Sequence, residues 1–193
     1  KLAIRGLEVL TAEPTCWKRL DLRIDLLGAY ATPFDPDEIA VDAQFGLPSG
    51  RSMTMPGFFY QPFLREKSAG SEVLKPAGPP EWRVRFMPPE AGTYNVRIRA
   101  RDRSGVVESA PVIFEARAGP GHGCIRVSAR DARYFEFQDG TLFFAIGENM
   151  VSGSLDDYER WIPALGTNGG NFGRLWIDNP GFALELGPLG EYR

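Results

Sequence analysis

A chain of 193 residues that is 43% apolar and 12% aromatic can bury a real core, and its length allows one or two domains. Lys and Arg number 22 against 25 Asp and Glu, a formal net charge of -3. That balance offers no general attraction for nucleic acid or an anionic membrane, so neither is expected as a partner. No stretch approaches the roughly 20 apolar residues needed to span a bilayer, so membrane insertion is not expected either. Any export signal is expected to have been removed or to lie upstream of Lys1. Cys16 and Cys124 are the two cysteines; the spacings that mark zinc or thiol redox sites are absent, and whether the two pair stays open.

In the run RLDLRIDLL, residues 19–27, Leu20, Leu22, Ile24 and Leu26 share one face, and Arg19, Asp21, Arg23 and Asp25 share the other. This is the pattern of a half-buried antiparallel strand. FDPDE, residues 34–38, clusters Asp35, Asp37 and Glu38, but proline beside acids marks a turn, and the glycine and spacing of a calcium loop are missing. No metal site is expected there. Period-two alternation returns at Ile39, Val41, Ala43 and Phe45. PGFFYQPF, residues 56–63, then sets Phe58, Phe59, Tyr60 and Phe63 between prolines. Such rings pack a core, fill a domain interface or stack on sugar rings, and for the last use Phe59 and Tyr60 are the candidates. Further alternation follows at Trp82, Val84 and Phe86, and at Tyr94, Val96, Ile98 and Ala100.

Short alternating strands separated by Pro- and Gly-bearing turns argue for a two-sheet sandwich over residues 1–119, the size of an immunoglobulin-like domain. EAGTY, residues 90–94, sharpens this, because an acidic-x-Gly-x-Tyr sequence leading into a strand makes Tyr94 a candidate tyrosine corner. Val96 stands where an antibody domain carries a cysteine, so this core is expected to hold by packing alone. Arg83, Arg85, Arg97, Arg99 and Arg101 point outward together. With Asp21, Asp25, Asp42, Glu108 and Glu115 on neighbouring strands, they read as a mixed solvated face rather than a basic patch.

AGPGHGC, residues 118–124, is a Gly-rich joint and the natural boundary, with a linker over 120–132. It holds His122, the one histidine of the chain, which has no sequence partners suited to a metal site or a catalytic base. Two apolar runs flank Asp139-Gly140, a hairpin signal for a type I′ turn. FFAIGENM, residues 143–150, reads as a strand ending in polar groups. Ser154 before Asp156 and Asp157 suits the start of a helix carrying Tyr158, Trp161 and Leu165, shortened or kinked at Pro163. NFGRLWI, residues 171–177, reads as a second strand. Strand, helix, strand is the unit of a parallel α/β fold, which needs many units to close. Residues 133–193 are therefore expected to be the opening of a larger fold.

In order along the chain, YATPFDPDEI (30–39), PSGRSMTMPGFFYQ (48–61), WRVRFMPPEAGTYNVRIRARDRSG (82–105), RYFEFQDGTLFFAIGEN (133–149) and NGGNFGRLW (168–176) resemble a known arrangement. It is the immunoglobulin-like domain of unknown function found before the catalytic barrel in a group of bacterial glycoside hydrolases. The resemblance implies a mainly β chain: a sandwich followed by the start of a (β/α)8 barrel related to retaining β-glycosidases. It implies an extracellular or periplasmic protein, with a β-linked polysaccharide or oligosaccharide and the remainder of the barrel as partners. Active sites of such barrels lie at the C-terminal ends of the strands. Glu148 and Asn149 would stand at the mouth after the first strand, and Arg174 and Trp176 near the mouth end of the second. Arg174 matches an arginine that orients the nucleophilic carboxylate, and Trp176 would offer a surface to sugar or pack inside the barrel.

The two carboxylates of a retaining enzyme, about 5 to 5.5 Å apart, come from later strands in the resembling family, and residues 134–193 fall far short of the roughly 250 of a complete barrel. No catalytic residue, metal or cofactor is therefore assigned, and the chain by itself is expected to be inactive. Glu148 and Glu185 are the carboxylates to test as substitutes. The leading expectation is a non-catalytic accessory region that braces the barrel. The alternative is a carbohydrate-binding or adhesion module with Phe59 and Tyr60 as its platform, and a third is a structural or assembly protein. Open barrel strands expose unpaired backbone groups, so packing on the sandwich or self-association of that edge is expected.

Overall fold

Strand alternation is met where one face can be buried and the other wetted, and the first two-thirds of the chain does this repeatedly. The computed structural model describes residues 1–68, 71–151 and 153–176. Ten strands run to the boundary of the first of two units, Lys1–Cys124. They are β1 (Ala3–Val9), β2 (Leu20–Leu27), β3 (Ile39–Gly46), β4 (Ser52–Tyr60), β5 (Phe63–Ser68), β6 (Ser71–Pro76), β7 (Glu81–Phe86), β8 (Gly92–Asp102), β9 (Gly105–Glu108) and β10 (Val112–Ala116). β5 and β6 form a separate hairpin; the rest make one antiparallel path, β1-β2-β7-β4-β3-β8-β10, with β9 also on β8.

β4 is the hinge of that path. Its residues up to Pro56 pair with β3, and Gly57 onward pairs with β7. Pro56 cannot donate to a ladder, which suits a change of partner. Gly57 is required by close approach, since a Cβ there would lie 2.8 Å from Val41 Cγ1. The far ends of the path also meet. Thr15 bridges Arg117, the Cys16 N–H donates to the Arg117 carbonyl at 2.8 Å, and the Arg117 N–H donates to the Pro14 carbonyl at 2.9 Å.

Both halves of the path face one core. Leu20, Leu22, Ile24, Val84 and Phe86 from one half meet Val41, Phe45, Val96, Ile98 and Phe114 from the other. Phe45 stacks on Phe86 with ring centroids 4.0 Å apart, and Tyr94 stacks on Phe114 at 5.1 Å. The Tyr94 hydroxyl is buried, donates to the Glu90 carbonyl at 2.8 Å and accepts the Glu90 N–H at 3.0 Å. The arginine face is mixed in sign, with Asp21 accepting from Arg85 and Asp42 in register with Arg99. Arg99 also pairs with Glu108 at 3.7 Å. Asp25 pairs sideways with Arg5 of β1.

The second unit, Ile125–Arg193, begins with β11 (Ile125–Val127), β12 (Phe135–Phe137) and β13 (Leu142–Phe143), an antiparallel sheet. The β12–β13 hairpin forms where Asp139-Gly140 predicts it, but the turn differs. Only Gly140 takes a positive φ, +87°, and its N–H bonds the Phe137 carbonyl. The three-residue loop is thus a type I turn followed by a left-handed glycine. β14 (Gly147–Met150), α1 (Leu155–Thr167) and β15 (Phe172–Leu175) follow, and β14 pairs with β15 in parallel. Ser154 and Asp157 close a capping box at the start of α1, whose thirteen residues run on through Pro163 rather than stopping there.

The run 143–150 is not one strand. Asn171 accepts the Ile146 N–H at 2.8 Å and donates to the Phe144 carbonyl at 2.9 Å. A side chain satisfies the backbone there, and the run splits into the end of β13 and a separate β14.

Candidate functional site

Parallel pairing of β14 with β15 sets Gly147 opposite Phe172, Glu148 opposite Gly173, Asn149 opposite Arg174 and Met150 opposite Leu175. Side chains alternate across the two strands, so this register sorts the candidate residues onto two faces. Met150 is buried, its terminal methyl lies 3.1 Å from where a Cβ of Gly173 would be, and the Tyr158 hydroxyl of α1 donates to its carbonyl at 3.2 Å. Glu148, Met150, Gly173 and Leu175 therefore share the face turned to α1. Asn149 and Arg174 share the opposite face as direct partners. Trp176, two residues beyond Arg174, keeps that phase, and the Arg174 guanidinium lies 5.9 Å from its ring centre.

Three of the candidate residues are thus gathered: an amide, a guanidinium and an indole. Together they offer hydrogen-bond donors in a planar fork, a donor-acceptor amide and an aromatic surface, which suits a carboxylate or a hydroxylated ligand. Glu148 falls on the other face by this alternation, and a groove of about 560 Å³ beside α1 is lined by both Glu148 and Asn149 together with Trp161, Leu165 and Asn168. Glu185 lies outside the described residues. Asn171 is a residue that sequence reasoning missed. It fixes the entrance to β14, and its only signal is an asparagine directly after Gly169-Gly170 at a strand start.

Phe59 and Tyr60 are divided by the same alternation. Phe59 lies against the core, edge-on to Trp82 at 5.6 Å. Tyr60 lies on the outer face with Phe58, under the guanidinium of Arg83 at 4.1 Å, while Arg85 covers Phe58 at 4.9 Å. The two rings do not form a common platform. Among the described residues no three His, Cys, Asp or Glu side chains gather as a metal site.

One buried carboxylate stands out in the second unit. Glu136 of β12 is 2% exposed. It accepts from the Ser128 hydroxyl at 2.8 Å, the Ala129 N–H at 3.4 Å and Arg126 at 3.0 Å. The Ser128 hydroxyl above all, then the Ala129 N–H and the Arg126 guanidinium, hold its pKa below the usual carboxylate value. All of its partners are local to the sheet that carries it, so its role is to tie β11, β12 and the loop between them.

Comparison with known proteins adds two findings. Residues 13–101, inside the first unit, match the family described as Domain of unknown function (DUF5060). The crystal structure of a candidate glycoside hydrolase from Bacteroides vulgatus is similar with a TM-score of 0.61 at 20% identity, over 86% of this chain. The chain spans 28% of the length of that protein, and at this identity the likeness concerns the fold. No curated protein matches the chain.

Proposed function

We propose that this chain is the non-catalytic front of a secreted glycoside hydrolase. An immunoglobulin-like sandwich would be followed by the first strand, helix and second strand of a (β/α)8 barrel acting on a β-linked polysaccharide outside the cell or in the periplasm. The observation that carries this reading is the unfinished state of the β14–α1–β15 unit. Met150 and Tyr158 are its buried apolar side chains among the described residues, while Phe144, at 74%, Ile146, Ile162 and Phe172 stand exposed. Among the described residues, the two-stranded parallel sheet and its one helix bring no second layer to the other face, which further strand-helix units would supply. The Tyr94 hydroxyl bridging Glu90 supports the immunoglobulin-like reading of the first unit. Likeness to a candidate glycoside hydrolase several times longer supports the assignment of the whole.

In this reading Asn149 and Arg174 face the barrel axis. Arg174 holds the nucleophilic carboxylate of a later strand in its ionised form by a charge-assisted bond, and that carboxylate attacks the anomeric carbon while a second one protonates the leaving oxygen. Glu148, turned to the helix, supports the strand instead of reacting.

The test is expression of the reading frame through and beyond Arg193, followed by assay on soluble β-linked polysaccharides with NMR of the released anomer. Hydrolysis with retained configuration by the longer protein, none by residues 1–193, and a fall of at least a hundredfold in kcat for Arg174→Ala is the expected result. A frame that continues without further strand-helix units, or a longer protein in which Arg174→Ala is as active as the parent, overturns the reading.

A further inference from the structure

A cavity of the first unit takes in Phe59 but none of the other candidate site residues. It is a cleft of about 760 Å³, within the roughly 300–1,000 Å³ typical of small-ligand sites. Three aromatic residues, Tyr30, Phe59 and Trp82, are among those that line it. Its rim carries Arg5 and Arg23 among Glu8, Asp25 and Glu81. These charges are cross-paired: Arg5 donates to Asp25 at 2.7 Å, and Arg23 bridges Glu8 and, at 3.8 Å, Glu81.

The wall of the cleft is built in advance. The Glu38 carboxylate accepts the Ala31 N–H at 3.0 Å and the Thr32 N–H at 2.6 Å, which fixes the loop that carries Tyr30. The Tyr30 hydroxyl donates to Asp102 at 3.1 Å. Burial, with help from that bond and from the Asp102 and Glu38 charges, pushes the phenol up to about 12, so it stays a neutral donor at physiological pH. Gly28 completes the fit, because a Cβ there would fall 2.4 Å from the Tyr30 hydroxyl oxygen. A ligand would meet this wall without having to order it, which lowers the entropic cost of binding.

From this geometry we infer that the cleft is a glycan-binding site of the first unit, with a sugar ring laid on Tyr30 and Phe59 and its hydroxyls bonded to the Arg5–Asp25 and Arg23–Glu8 pairs. The rim chemistry favours this class of ligand. Its donors and acceptors alternate in sign and so match vicinal hydroxyls, which both donate and accept. A phosphate or a polyamine would call for one sign of charge. The choice of a β-linked glycan rests on the hydrolase reading above; the presence of a ligand site does not.

Affinity electrophoresis of the chain 1–193 in gels containing soluble mixed-linkage β-glucan, arabinoxylan or β-galactan tests it. Retardation by at least one polymer is expected. Gly28→Ala, whose Cβ would push on the hydroxyl and the adjoining ring carbons of Tyr30, and Arg23→Ala, an exposed residue, should each weaken that retardation at least tenfold with unchanged circular dichroism. Tyr60→Ala, on the outer face, should retain it. No retardation by any of the three polymers overturns the site, as does full retention in Gly28→Ala and Arg23→Ala. Loss of binding in Tyr60→Ala alone moves the ligand to the outer face and rejects the cleft. Hydrolysis by the longer protein without binding by residues 1–193 would sink the cleft and leave the hydrolase standing; binding with no hydrolase downstream would do the reverse.

Discussion

The two units of this chain spend similar residue types to opposite effect. In the first, the aromatic rings of Phe45, Phe86, Tyr94 and Phe114 meet across the two halves of a bent sheet and leave almost none of their surface in water. In the second, Tyr134, Phe135, Leu142 and Phe144 are all about half exposed or more. Composition alone therefore does not decide whether a region is a domain; closure does. A sheet path that returns upon itself, as β1 to β10 does through the Thr15–Arg117 bridge, buries its apolar face with its own strands. Among the described residues, a single parallel pair with one helix buries only the face that the helix covers.

The comparison breaks most sharply under truncation of one ring in each unit. Phe45→Ala removes a fully buried, stacked side chain and should cost about 3–5 kcal/mol in urea unfolding followed by tryptophan fluorescence. Phe144→Ala removes a ring already in water and should change stability by less than about 0.5 kcal/mol. Equal losses from the two substitutions would mean that Phe144 is covered in the folded chain and that the second unit is complete as it stands.

A smaller effect separates packing from bonding inside the first unit. Tyr94→Phe keeps the ring on Phe114 and deletes the hydroxyl that both donates to and accepts from the Glu90 backbone. Leaving those two groups without a partner should cost about 1–3 kcal/mol in the same unfolding measurement. A loss below about 0.5 kcal/mol would show that water replaces the hydroxyl and that the turn into β8 is held by packing alone.

Much of the first unit is legible because period two and a single buried face leave one solution. Leu20, Leu22 and Ile24, and Tyr94 through Ala100 in steps of two, are buried as their alternation says. What hides from the sequence is long-range. Whether 143–150 is one strand or two depends on bonds from Asn171, more than twenty residues away, and apolar runs carry no period that could reveal it. Asp139-Gly140 announces a hairpin, but the loop from Phe137 to Thr141 sets the turn type. In the candidate site, Asn149, Arg174 and Trp176 can each be placed near a strand end from sequence. That Asn149 and Arg174 are partners while Glu148 faces the helix is a matter of register across an intervening helix. Likewise the pairing of Phe59 with Trp82 in the ladder decides that Phe59 rather than Phe58 turns inward.

The least of the expected effects is local and sharpens the contrast from the side of the second unit, whose described residues bury few apolar side chains and carry a polar tie at Glu136. Glu136 is held by Ser128, Ala129 and Arg126, and its pKa is lowered in the folded chain. A group whose folded pKa is depressed contributes stability that is present above its unfolded value, about 4.3 for glutamate, and is lost as pH falls through the folded value. The β11–β12 pair should therefore keep its amide protection at pH 6 and lose part of it by pH 3, while the core strands β3 and β8 change far less. Hydrogen exchange resolved by segment reads both at once. Glu136→Gln should bring the low-pH behaviour of this sheet to pH 6, because a neutral amide offers weaker acceptors to Arg126 and Ser128. Unchanged protection factors at Val127 and Phe137 across that pH range would show that the carboxylate charge does not hold the sheet together.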